Sequence, residues 1–180
     1  VAAREVSLAD LKEMKDHVDI EIESFVHGSM CISYSGRCLL SNYMTGNRDA
    51  NRGQCSQSCR WKYSLVESNR PGEYYPIEED EHGTYIFNSK DLCLIHRIPD
   101  LYEAGIDSLK IEGRMKSVHY CATVAKVYRT AIDTYLKEGK DWYVRPEWIA
   151  ELEKISHRPY TDGFAEGRPD ETAQNYGKST

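Results

Sequence analysis

The sequence predicts an α/β fold, specifically the C-terminal part of a (β/α) TIM-like barrel carrying a long cysteine-rich insertion. Three observations predict it. Strand and helix patterns alternate, which favours parallel β-α units. Only about three such strands can be counted in the 180 residues, against the eight of a closed barrel. Val1 reads as lying in mid-strand, so a longer native chain is expected to supply the rest. Residues 1–165 are accordingly assigned to a partial barrel with a cysteine-rich loop at 27–62, and 166–180 to a tail or linker.

Val1 to Ser7 reads as a strand end and its loop, because Ser7-Leu8-Ala9-Asp10 then opens a helix with capping-box spacing. Leu8, Leu11, Met14 and Val18 form its apolar stripe. A strand is expected over 19–26, where acidic or polar residues alternate with apolar ones. Residues 27–62 lose that periodicity and gain Gly, Ser, Asn, Arg and Cys, the composition of a long functional loop. Glu67 to Gly83 is rich in Pro, Gly and acid, an exposed excursion with a hairpin ending at Thr84 to Phe87. Asn88 to His96 can start a helix. Ile98-Pro99-Asp100 restarts one that stops at Gly105, and Ser108 to Glu112 is a strand. From Val118 to Glu138 a long helix is expected, with Cys121, Ala125, Tyr128, Ile132 and Tyr135 as its stripe and Gly139 as its end. Pro146 to Ile155 makes one more short helix.

Composition excludes several classes. Lys and Arg total 23 against 29 Asp and Glu, a net charge of −6, so the chain as a whole lacks the field of a general nucleic-acid binder. Any RNA contact must be local. No apolar run reaches the roughly 20 residues of a membrane span, and no signal pattern is visible, so a cytoplasmic protein is expected. No nucleophile elbow, His-Glu-x-x-His pair, dinucleotide fingerprint or phosphate loop is present.

Five of the six cysteines fall between 31 and 93: Cys31, Cys38, Cys55, Cys59 and Cys93. Thiolates are soft ligands, and four of them without matching histidines suit an iron–sulfur cluster or, alternatively, zinc. Metal bonds would also order a loop that has no hydrophobic core of its own. One of the five thiols is then spare, and Cys59 is the ambiguous one. Cys121 belongs to its helix stripe as a small hydrophobe. Around the thiols the charge reverses: Arg37, Arg48, Arg52, Arg60 and Lys62 stand against Asp49 alone, a patch able to balance a cluster or hold a phosphate or carboxylate.

In parallel α/β folds chemistry gathers at the C-terminal strand ends. Glu23, His27 and Glu112 are candidates there for proton transfer or a metal, and Arg4, Lys110 and Arg114 for an anionic substrate. The same residues could equally be ion pairs filling the barrel layers.

Glu23 to Cys31, followed by Gly36-Arg37-Cys38-Leu39-Leu40-Ser41, resembles the collagenase-like peptidases, family thirty-two of the peptidases of unknown mechanism. The match continues through Asn51 to Cys55 with Cys59-Arg60, through Lys110 to Arg114, and into His157-Arg158 and Tyr160 to Phe164. The resemblance implies a barrel about twice this length. It also implies a divided activity, since some relatives are named for collagen degradation while others hydroxylate tRNA, ribosomal RNA or ubiquinone. For the hydroxylating branch it implies a 4Fe-4S cluster, on Cys31, Cys38, Cys55 and Cys93 here, and prephenate as the carboxylate donor of the hydroxyl group. Three functions are therefore expected in turn: an iron–sulfur-dependent hydroxylase of RNA, tRNA first; a peptidase acting on protein, with a metal or His27 and Glu23 activating water; and a non-enzymatic cluster-bearing protein.

Overall fold

The structure is a computed structural model that describes residues 1–31, 33–46, 48, 50–60, 64–65, 68–69, 71–72, 75–76 and 90–167. The expected hairpin end at 84–87 and the tail from 168 onward lie outside the described residues. The chain divides into two compact units, one from residues 1–30 and 90–167 of the described set, the other from 31–76.

The first unit is mixed α/β. Its helix α1 (Leu8–His17) has the capping box anticipated at its start: Ser7 Oγ accepts from the Asp10 N–H, and the Asp10 carboxylate accepts from Ser7 N–H. A four-stranded sheet follows in the spatial order β5 (Ser108–Glu112), β1 (Glu23–Ser29), β4 (Asp91–Cys93), β6 (Tyr160–Thr161). β1 and β5 pair in parallel with α3 (Ile98–Glu103) on the connection between them, the expected β-α unit. β4 runs antiparallel to β1 and parallel to β6. The sheet is therefore mixed where parallel pairing throughout was expected.

Helices α4 (Val118–Glu138) and α5 (Pro146–Glu153) close the core with Val26, Leu92, Ile95, Leu101, Val124, Ala131 and Leu152, each nearly or fully buried. α4 starts on Ser117, whose Oγ accepts from Tyr120 N–H, and ends at Gly139 in positive φ. Trp142 Nε1–H donates back to the Ala131 carbonyl at 3.1 Å, folding the end of α4 toward α5.

Several expectations need correction. Val1 to Ser7 forms no strand; one backbone bond, from Ala2 N–H to the Glu23 carbonyl at 2.8 Å, ties it to β1 before a turn at Arg4-Glu5. The strand read over 19–26 lies at 23–29, because its pairing with β4 and β5 sets its span. Where a helix was expected over 88–96, the described residues, from 90 onward, form strand β4 and a 3-10 turn, Ile95–Arg97. β4 is buried throughout and paired on both edges, so ladder bonds and burial outweigh a helical start signal. On α4 the buried stripe is Tyr120, Val124, Val127, Tyr128 and Ala131; of the five stripe residues expected, Tyr128 alone is fully buried and Ala125 is exposed. The α1 stripe is likewise incomplete, since Leu11 is buried while Met14 is 42% exposed and Val18 is exposed with it; Ile20, beyond the helix, is exposed too.

The second unit replaces the featureless loop with α2 (Leu39–Thr45), 3-10 turns at Ala50–Arg52 and Ser58–Arg60, and a two-stranded ladder of β2 (Ser64–Leu65) with β3 (Tyr75–Pro76). α2 ends on Gly46 in the left-handed region, which glycine enters at no steric cost. Its inner anchor is Ser41, fully buried, whose Oγ accepts from Ser56 N–H at 3.0 Å and lies 3.2 Å from Ser56 Oγ.

Candidate functional site

Glu23, Lys110, Arg4 and Glu112 form two ion pairs around one aromatic ring, and of the residues expected at C-terminal strand ends Glu23 is instead the first residue of β1, because pairing with β5 starts there. Lys110 Nζ meets Glu23 Oε2 at 2.7 Å, and Ser108 Oγ donates to the other carboxylate oxygen at 3.2 Å. Arg4 Nη2 meets Glu112 Oε2 at 3.0 Å. Phe25 lies beside both cations: the Arg4 guanidinium is 3.7 Å from its ring centre and Lys110 Nζ 5.5 Å. The hydrogen bond from Lys110 holds the Glu23 carboxyl below the usual carboxylate range. Arg114 joins through its backbone, donating its N–H to Glu112 Oε1 at 3.1 Å, while its side chain is exposed. Arg4 and Lys110 are thus already matched to carboxylates. An incoming anion must exchange with Glu112 or Glu23 rather than enter an empty cation site.

His27 does not join this group. The β1–β5 register slips between Phe25, opposite Lys110, and His27, opposite Ile111. This bulge turns His27 to the core side shared with Ile111, away from Glu23, Phe25 and Lys110. There it is 1% exposed, with the rings of Tyr120, Tyr128 and Tyr160 at 6.0, 5.5 and 5.3 Å between centroids. Burial pushes its pKa down to about 4, although the nearby Asp91 carboxylate pulls the other way. The trio Glu23, His27 and Glu112 is therefore split between two faces of the sheet.

Sequence reasoning missed Phe25, Asp91 and Tyr128. Asp91 is fully buried in β4, accepting from Arg158 N–H at 3.2 Å with Lys116 Nζ at 3.7 Å. The Tyr128 hydroxyl donates to the Val26 carbonyl at 2.8 Å and accepts from Leu94 N–H at 3.1 Å, linking β1 to the end of β4. Asp91 follows Lys90 and precedes Leu92 and Cys93, a pattern with no period that would mark a buried strand.

In the second unit, Cys38, Cys55 and Cys59 all lie near enough to Cys31 to act on its thiol. Cys38 is the N-cap residue of α2, and Cys55 precedes the Ser56 that is bonded to α2 through Ser41, so one short contact brings the two cysteines' segments together. Burial first, and then the neighbouring Cys38, Cys59 and Cys55, push the Cys31 thiol up. Cys55 Sγ accepts from Gln57 N–H at 3.3 Å, and Gln57 itself takes a positive φ of 56° to make the turn. Cys93 stands in the first unit at the end of β4, buried, 3.9 Å from the Tyr128 hydroxyl. Cys121 is only partly buried and packs on Gly113, where a β-carbon would stand 2.5 Å from its sulfur. All six cysteines are free thiols. Among the described residues no three His, Cys, Asp or Glu side chains form a ready-made metal cage, yet the donor set is right in kind, with three thiols acting on a fourth. Arg60 ends the 3-10 turn that holds Cys59, and its side chain lies outside the described residues.

A mixed α/β domain with a thiol-rich inserted unit is the class that fold and site define. The family model for peptidase family U32 matches residues 1–175, and the chain belongs to that family. It is 50% identical over 178 residues to tRNA hydroxylation protein P1 of Bacillus subtilis, covering 99% of this chain and 42% of that protein. It is 40% identical over 216 residues to tRNA hydroxylation protein P of Escherichia coli, covering 98% and 47%. With an uncharacterized protease of Methanocaldococcus jannaschii it shares 44% over 170 residues, covering 91% and 40%. The chain thus spans less than half the length of these curated relatives. No solved structure matches it. No helix among the described residues is long and apolar enough to cross a membrane.

Proposed function

We propose that this chain serves an iron–sulfur-dependent RNA hydroxylation enzyme, with tRNA as the first substrate class and a small carboxylate such as prephenate as the hydroxyl donor. The observation that carries the reading is that Cys38, Cys59 and Cys55 all lie near enough to act on the Cys31 thiol, in a unit whose described residues contribute no side chain to a hydrophobic core cluster. Two of the relatives named above are tRNA hydroxylation proteins, which supplies the substrate class. Cys31, Cys38, Cys55 and Cys93 would hold the 4Fe-4S cluster, leaving Cys59 spare; zinc on the same thiols is the alternative metal. When bound, such a cluster supplies electron transfer and a Lewis-acidic iron.

The chain's own residues would do the rest. A donor carboxylate would take the place of Glu112 on Arg4, or of Glu23 on Lys110, and the displaced carboxylate, released from its cation, becomes available to accept a proton beside the donor. Arg114 and Arg60 would add positive charge for phosphate or carboxylate. We place these strands in a cytoplasmic (β/α) TIM-like barrel completed by further chain. Two features support that: the length of the relatives, and the exposed apolar residues Met14, Val18 and Ile20, which another β-α element would cover.

The test is anaerobic preparation of the full-length protein, analysis of iron, sulfide and zinc, and mass spectrometry of tRNA nucleosides after incubation with the donor. Iron with sulfide and a nucleoside heavier by one oxygen are expected. Unmodified RNA from cluster-loaded protein would overturn the reading. The family's name and the protease relative favour a second reading, a peptidase. Against it, Glu23 and His27 lie on opposite faces of the sheet and cannot share one water.

A further inference from the structure

The second unit leaves aromatic and basic side chains facing outward on one short stretch of chain. Tyr34, Leu39 and Tyr43 are 76%, 82% and 85% exposed. Buried Ser41 fixes the inner side of α2, and residues two positions to either side of it point the opposite way on a helix. Leu39 and Tyr43, four apart, therefore share the outer face. Arg37 lies just before this face, in a turn whose N–H donates to the Tyr34 carbonyl at 2.9 Å. Arg48 lies just after it, its N–H bonded to Thr45 Oγ1 at 3.3 Å beyond the Gly46 cap. Both guanidinium groups are exposed, and neither pairs with a carboxylate among the described residues. From residue 31 to 60 the sequence contains one acidic residue, Asp49.

Exposed tyrosines cost solubility and are not needed by a core; two beside exposed arginines, in a chain of net charge −6, suit a polyanion with flat apolar groups. Single-stranded RNA has both. A duplex hides its base faces, whereas a loop can lay them on an aromatic ring. We propose that the outer face of α2, with Tyr34 and with Arg37 and Arg48 at its ends, binds the unpaired loop of the RNA substrate, tyrosine rings stacking on bases and guanidinium groups taking the flanking phosphates. This rests on the RNA hydroxylation reading and adds to it the surface that receives the loop. Since α2 begins at Cys38, loop and thiols are served by one unit.

The experiment measures binding of a stem-loop RNA, and of its stem alone as a closed duplex, to the full-length protein by fluorescence anisotropy over a range of salt. Wild type is expected to prefer the stem-loop. Tyr43→Ala and Tyr34→Ala should each weaken it about 5- to 100-fold without changing duplex binding, and Tyr43→Phe should bind as wild type. Arg37→Gln and Arg48→Gln should each flatten the log–log salt slope by about 0.7. Wild-type affinity for the stem-loop in both alanine variants would overturn the surface while leaving the RNA reading intact, as would equal wild-type affinity for stem-loop and duplex. Failure of the wild type to bind either RNA would overturn both. Loss of binding to a denatured collagen peptide in Tyr43→Ala, with RNA binding kept, would replace this proposal with a protein-binding face.

Discussion

Gly28 and Glu112 lie so close that a β-carbon on Gly28 would stand 2.3 Å from the Glu112 carbonyl oxygen. Gly28 also has φ of +110°, a conformation side chains rarely adopt. Both facts follow from the bulge in β1, which lets the two backbones approach. Gly28→Ala is therefore expected to cost about 3 kcal/mol or more, combining strain with a forced shift of β5. Urea unfolding measures it; a loss within about 0.5 kcal/mol would contradict the close approach.

Tyr128 provides a second test of the same sheet. Its hydroxyl satisfies the Val26 carbonyl and the Leu94 N–H in a fully buried position. Tyr128→Phe keeps the ring and removes both hydroxyl bonds, but Leu94 N–H also donates directly to the Val26 carbonyl at 2.9 Å, so neither group is orphaned and the expected cost is about 0.5–1.5 kcal/mol. Unfolding curves with unchanged m-value would bear this out, and a loss above about 3 kcal/mol would show that the direct Leu94–Val26 bond does not survive the change.

Around Phe25, stack and ion pair can be separated. Arg4→Ala removes both the Glu112 pair and the cation over the ring, whereas Phe25→Leu removes the ring alone. A double-mutant cycle is expected to give a coupling of about 0.5–1 kcal/mol. Additive effects would show that the guanidinium merely rests there.

Asp107 accepts from Lys15 Nζ at 2.7 Å and from Ile22 N–H at 2.8 Å, and these bonds hold its carboxyl below its ordinary 3.8. The unfolded chain therefore takes up this proton at higher pH than the folded one. The stability it contributes is complete above about 3.8 and is lost as pH falls through the lower folded value. Carboxyl NMR should show the depressed titration, and Lys15→Met should raise it toward the ordinary value.

What could be read from the sequence is what neighbouring residues decide. The Ser7–Asp10 capping box, the stop of α3 at Gly105, the span of β5 and both ends of α4 depend on local spacing and were readable. β4 was not, because three residues buried on both sides carry no period, and only pairing with β1 and β6 makes them a strand. The one-residue slip between Phe25 and His27 leaves no local trace either, yet it decides that His27 faces tyrosines and not Glu23. The concentration of thiols from Cys31 to Cys59 was legible, whereas the placing of Cys93 in the other unit was not. That Arg4 and Lys110 are already neutralised was legible only as one of two alternatives.

Ser29 and Asp91 are ladder partners on β1 and β4, so everything between them leaves and re-enters the sheet one strand spacing apart. In polymer terms the inserted unit is a loop closed at its base by the domain itself. Lengthening such a loop costs little, about 0.6 kcal/mol for each doubling. Its contents can therefore be exchanged or extended with no change in strand register, and selection on what the insertion recognises is uncoupled from selection on the fold that carries it.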